Sequence, residues 1–162
     1  MIFLRILFVC TGNTCRSPMA EAMFRHLACQ YWGCSEDELR KHNMDVLSAG
    51  VAAADSAPAS REAIQVLKQK GIDLSQHLSR QVTEEMLAMS DLVLAMTPGH
   101  LRMLQNERPD LASRMRLLRE EGYGISDPIG GGIEDYQHCA SEISDCLKSI
   151  LDELIRKDAE VQ

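Results

Sequence analysis

Cys10 and Arg16 are separated by five residues in the stretch Val9-Cys10-Thr11-Gly12-Asn13-Thr14-Cys15-Arg16-Ser17-Pro18. That combination suits phosphoryl transfer to a protein nucleophile. A thiolate attacks phosphorus, backbone N–H groups hold the equatorial oxygens, and a guanidinium binds two of those oxygens at once. A free thiol, with a pKa of about 8.5, is mostly protonated at neutral pH, but aligned amides and a nearby arginine lower it by several units. Ser17 can add a hydroxyl hydrogen bond to the sulfur, and Gly12 lets the backbone approach a phosphate closely. Asn13 is one of the few non-glycine residues that tolerates positive φ. Thr11, Gly12, Asn13, Thr14, Cys15, Arg16 and Ser17 are therefore the candidate phosphate-binding residues, with Cys10 as nucleophile. Cys10 taken singly reads as a buried apolar residue at a strand end. The Gly, Asn, Arg and Ser beside it, and Pro18 at a helix start, argue for the nucleophile.

The elements that must position this loop follow from the apolar pattern. Leu4 to Val9 is a mostly continuous apolar run, as expected for a central strand of a parallel sheet. From Pro18 to about Gln30, Met19, Met23 and Leu27 form one helical stripe, with Ala20 and Phe24 beside it. A strand that ends in a tight loop and re-enters a helix leaves several N–H groups pointing one way at the helix's positive end, which makes an anion site. Further on, Asp45 to Ala49 reads as a strand and Ser60 to Lys70 as a helix stopped by Gly71. Thr83 caps a short helix, Asp91 to Met96 is a third strand, and Pro98 opens a helix ending near Asn106. Met115 to Leu118 reads as a fourth strand, and Ile143, Leu147, Ile150 and Leu154 mark a long helix from about Asp135. The Gln30–Asn43 stretch carries no clear pattern. Repeated βα units of this kind imply an α/β fold: a three-layer sandwich with a four-stranded parallel, doubly wound sheet and helices on both faces. The phosphate loop then lies at the sheet's carboxyl edge.

Composition bounds the rest. A chain of 162 residues, 45% hydrophobic and 25% charged, is expected to be one domain spanning 1–162. The net charge of −7 argues against nucleic acid or an acidic membrane as partner. The six cysteines, at 10, 15, 29, 34, 139 and 146, lack paired metal-ligand spacing. The N-terminal apolar run is too short for a signal peptide, and no stretch approaches a membrane span. A cytoplasmic protein with reduced thiols, no metal and no cofactor is the expectation. Cys139 and Cys146 would lie roughly 10 Å apart along a helix, too far for a disulfide. Cys29 and Cys34 flank a turn and could approach each other. The nine methionines read as core filler.

Residues 10–18 resemble the signature loop of the low-molecular-weight protein tyrosine phosphatase family. Within it, residues 10–21 (Cys-Thr-Gly-Asn-Thr-Cys-Arg-Ser-Pro-Met-Ala-Glu) are most similar to the bacterial protein-arginine phosphatases. Ser48-Ala49-Gly50, His77-Leu78-Ser79-Arg80, Asp91 to Met96 and Asp127-Pro128 follow in the order in which the family places comparable motifs. The resemblance implies that Asp127, on the loop Asp127-Pro128-Ile129-Gly130-Gly131-Gly132, protonates the leaving group and then activates water to cleave a phosphocysteine. By itself an Asp-Pro pair is a common turn. The resemblance also implies that Ser48 and His77 support the loop together with Asn13, and that Cys15 is a redox partner for Cys10.

Substrates implied in this way are phosphorylated proteins, with inorganic phosphate as product; the sequence leaves the oligomeric state open, with a monomer as the expectation. Tyrosine-directed members line the crevice with aromatic residues after the Asp-Pro pair, where this chain has Ile129-Gly130, although Tyr123 or Tyr136 could still reach the rim. They usually carry an aliphatic residue where this chain has Thr14. A hydroxyl there can bond a guanidinium and is less suited to a phenyl ring, so phosphoarginine is the favoured substrate, with phosphotyrosine as the alternative. Arsenate reduction needs relay cysteines, and Val82 to Met89 contains none. A phosphotransfer module or a silent phosphate-binding protein completes the set of alternatives.

Overall fold

The computed structural model describes residues 3–161. Its sheet has four strands: β1 (Leu4–Cys10), β2 (Met44–Gly50), β3 (Leu92–Ala95) and β4 (Met115–Leu117). Their order is β2-β1-β3-β4, and every neighbouring pair is parallel. Five helices surround it: α1 (Arg16–Trp32), α2 (Arg61–Gln69), α3 (Glu84–Met89), α4 (Pro98–Glu107) and α5 (Ile133–Val161).

Ile6, Leu7, Phe8 and Val9 are completely buried because β1 is central and covered on both faces. Its side chains alternate between two cores. Ile6, Phe8 and Cys10 face a cluster holding Met19, Phe24, Tyr136, Ile143 and Leu147 of α1 and α5. Leu7 and Val9 face Leu87 of α3 and Leu104 of α4. The three-layer α/β sandwich read from the apolar pattern is the architecture observed.

Helix boundaries moved where backbone chemistry outweighs apolar periodicity. α1 starts at Arg16, two residues before Pro18, and runs to Trp32, where Gly33 in the left-handed region (φ 63°) stops it. The connection without a pattern contains a 3₁₀ helix, Glu36–His42, opened by a reciprocal Ser35/Glu38 capping box. Five methionines (19, 23, 44, 96 and 115) are core filler as expected, but Met89 and Met103 lie half exposed on the surface. Among the described residues no helix is long and apolar enough to cross a membrane.

Strand order decides where the site lies. The chain leaves β1 for β2 on one side and returns to β3 on the other, so the connections after β1 and β3 diverge to opposite faces. A crevice opens between them at the carboxyl ends of the strands.

Candidate active site

Cys10 is the last residue of β1, and the chain turns through residues 11–15 into α1. The N-cap residue, Cys15, makes no side-chain cap, so N–H groups of the first turn remain for an anion. The Cys10 sulfur sits beneath two polar groups: the backbone N–H of Asn13 at 3.3 Å and the Ser17 hydroxyl at 2.8 Å. The Asn13 N–H donates to the sulfur, whereas between Cys10 and Ser17 either group can be the donor.

Asn13 holds this geometry. It is fully buried with φ 55°, and every polar group of its side chain is used. Nδ2 donates to Ser17 Oγ (2.9 Å) and Ser48 Oγ (3.0 Å), while Oδ1 accepts from the Arg80 N–H (3.0 Å). His77 Nε2 donates to the Asn13 carbonyl at 2.8 Å. Ser48 in turn donates to Glu21. Residues from β2, α1 and the segment before α3 thus converge on one asparagine. Ser48 and His77, the two residues expected to support the loop, both hydrogen-bond Asn13.

Arg16 is 4% exposed. Its Nη1 donates to the Ile125 carbonyl (3.0 Å), and its Nη2 pairs with Asp127 Oδ2 (3.2 Å). The segment carrying Asp127 is tied to β3 as well, through Ile125 N–H to the Met96 carbonyl at 2.8 Å. Gly124 makes that approach possible: its φ is 85°, and a Cβ there would lie 2.2 Å from the Met96 carbonyl oxygen. Asp127 keeps a partly exposed carboxylate and caps its own turn by accepting from Ile129 N–H at 3.2 Å. Ile129 is 67% exposed beside it.

Tyr136 forms no wall at this mouth. Tyr136 is buried behind the loop with its hydroxyl 3.2 Å from the Cys15 sulfur, and burial pushes its pKa up to about 12. Tyr123 stands 95% exposed. Thr14 anchors through its backbone, its carbonyl accepting from Ser60 N–H at 2.9 Å, and its hydroxyl lies 3.7 Å from the Cys15 sulfur. Cys15 packs in the same buried layer, donating to Ser60 Oγ at 3.5 Å.

One residue escaped the sequence reading. His100, in the first turn of α4, places Nε2 2.7 Å from Thr11 Oγ1 and Nδ1 3.0 Å from Thr97 Oγ1. Thr97 also caps α4 by accepting from the His100 N–H. The crevice between the β1 and β3 connections is what brings His100 to the phosphate loop. The only local signal was Thr97-Pro98 opening a helix with a histidine in its first turn.

A family model described as low molecular weight phosphotyrosine protein phosphatase matches residues 5–160. The chain belongs to this family. It is 38% identical over 157 residues to the protein-arginine-phosphatase of Bacillus subtilis (strain 168), covering 94% of this chain and 97% of that one. The YwlE arginine phosphatase of Geobacillus stearothermophilus superposes with a TM-score of 0.85 at 36% identity, over 98% of this chain and 97% of that chain. A YwlE arginine phosphatase mutant with a phosphorylated active-site serine superposes with a TM-score of 0.83 at 34% identity, over 98% and 100%.

In this member of the low-molecular-weight phosphatase family the imidazole of His100 is neutral at physiological pH. Burial, then the Arg16 guanidinium, pushes its pKa down to about 4, with Asp127 pulling weakly the other way. The unfolded chain takes up a proton near pH 6.5 that the folded chain refuses until about pH 4, so His100 costs no stability above that window and lowers it as pH falls through it. At the acid end the loss amounts to about 3 kcal/mol. The urea midpoint of the parent should therefore fall more steeply between pH 7 and pH 4.5 than that of His100→Gln. Parallel profiles would show that His100 is not the buried neutral group assigned here.

Proposed function

We propose that this chain is a protein-arginine phosphatase acting through a phosphocysteine. The observation that carries the reading is one loop that holds the Cys10 sulfur under the Asn13 N–H and ends at Arg16, which pairs with Asp127, and the names of its relatives support it. The Cys10 thiolate attacks the phosphorus of a phosphoarginine side chain, the P–N bond breaks, and Asp127 delivers a proton to the departing guanidine. A phosphate dianion in the cup takes the fork of Arg16, which releases Asp127 toward the leaving group. In the second half Asp127 accepts a proton from water, the water oxygen attacks phosphorus, and the P–S bond breaks. Cys10 returns as thiolate and inorganic phosphate departs.

Selectivity follows from the rim. Tyr136 is buried behind the loop and Pro128 is followed by Ile129-Gly130, so a phenyl ring has little to stack on. The Thr14 hydroxyl and the Asp127 carboxylate both suit a guanidinium. Phosphotyrosine, the substrate in the family's own description, is the second reading. The same proposal makes the enzyme a cytoplasmic monomer and gives Cys15 a second role, as resolving thiol for an oxidised Cys10.

Thr14→Ile tests the selectivity. Its kcat/KM on a phosphoarginine protein should fall and that on a phosphotyrosine peptide should rise, moving their ratio by roughly 10–100-fold. A parallel fall in both rates would make Thr14 a structural residue and leave the choice of substrate unsupported.

A further inference from the structure

A second pair of thiols lies at the far end of α1. The helix ends with Gly33 in the left-handed region, and the Cys34 N–H reaches back to the Cys29 carbonyl at 3.1 Å. This closure brings together the side chains three positions before and two positions after the helix end, a contact apolar residues usually make. Here both are cysteines. Both are partly exposed and pack against the edge of the core, and the two thiols are close enough for Cys34 to act electrostatically on Cys29. The sulfurs are therefore already neighbours, and forming a bond between them asks for side-chain rotation rather than backbone rearrangement. Cys139 and Cys146, on one face of α5, have no such closure.

We propose that Cys29 and Cys34 form a second thiol–disulfide site, separate from the phosphate cradle, that reacts with peroxides. The Cys34 sulfur attacks one peroxide oxygen; the O–O bond breaks, an S–O bond forms, and one water leaves. The Cys29 sulfur then attacks the sulfenic sulfur of Cys34; the S–S bond forms, the S–O bond breaks, and a second water leaves. Two thiols and one hydrogen peroxide become a disulfide and two waters, with two electrons passing from the sulfurs to the peroxide.

The order of attack follows from their surroundings. Burial, then the adjacent Cys34, pushes Cys29 up to about 11, so it holds its proton and acts second. Cys29 lies three residues before the end of α1, so roughly 20 Å of helix separates it from Arg16. Its oxidation leaves the phosphate loop free.

Tryptic cleavage after Arg25 and Arg40 isolates residues 26–40, which contain Cys29 and Cys34 and no other cysteine, whereas Cys10 and Cys15 fall on residues 6–16. After treatment of the folded protein with hydrogen peroxide, blocking of free thiols with iodoacetamide and digestion, peptide 26–40 should be unalkylated and lighter by two hydrogens. It should recover both free thiols on reduction. In Cys29→Ser the peptide should instead stop at a sulfenic acid or a more oxidised form of Cys34, without an internal bond. The proposal is overturned if peptide 26–40 stays doubly alkylated while peptide 6–16 is oxidised, or if its cysteines link only between molecules. Phosphatase activity of the parent, measured with the 26–40 disulfide formed and peptide 6–16 reduced, should match that of the untreated enzyme. A loss would mean the pair is not separate from the cradle.

Discussion

Cys10→Ser is expected to abolish turnover of every phosphorylated substrate while inorganic phosphate still binds. The serine oxygen would sit under the same two groups, Asn13 N–H and Ser17 Oγ, and the cup formed by α1 and Arg16 would be unchanged. What disappears is the easily ionised nucleophile and the weak sulfur–phosphorus bond that water cleaves in the second step. The related arginine phosphatase mutant with a phosphorylated active-site serine shows that such an oxygen can carry phosphate. Steady-state assay and phosphate calorimetry of the variant, taken together, check this. Persistent turnover would remove Cys10 as nucleophile, and loss of phosphate binding along with turnover would make it a structural part of the loop.

Gly50→Ala should damage activity and stability together, although residue 50 touches no substrate in the proposed mechanism. A Cβ at Gly50 would lie 2.3 Å from the Thr11 carbonyl oxygen, 2.9 Å from Ala53 Cβ and 3.0 Å from the Asn13 nitrogen. Gly50 has nowhere to withdraw: its N–H donates to the Arg80 carbonyl at 2.9 Å, and its own carbonyl accepts from Val82 N–H at 2.8 Å. The phosphate loop must move instead, and with it the Asn13 N–H that donates to the Cys10 sulfur. Overpacking of this kind costs about 1–3 kcal/mol, and a displacement of an ångström at a catalytic group costs about 10²-fold in rate. Thermal unfolding and kcat/KM of the variant read the two effects. Parent-like values for both would mean that the loop yields without losing its donors.

The residues of the phosphate loop were legible because they are contiguous. Cys10, Arg16 and Ser17 are positioned by one strand, one turn and one helix start, and each leaves a local mark: the apolar run of β1, the left-handed Asn13, and Pro18 in the first turn. The cap residue Thr83 acts on a neighbour three positions away, so it was legible for the same reason. Asp127 is different. Its Asp-Pro pair is a turn in any protein, and only the resemblance to a known family singled it out.

The sequence by itself determined the strand–loop–helix turn that carries the candidate anion site, with a thiol at the strand's end, because those interactions span a few residues of backbone. The tertiary structure decided which distant groups complete that site. Strand order β2-β1-β3-β4 opens the crevice beside β1, and through it Arg16 meets Asp127 and Thr11 meets His100. The same packing buries Tyr136 behind the loop rather than at its rim. None of these pairings leaves a periodic trace, since each depends on how separate elements stack and not on the spacing of residues within any one of them.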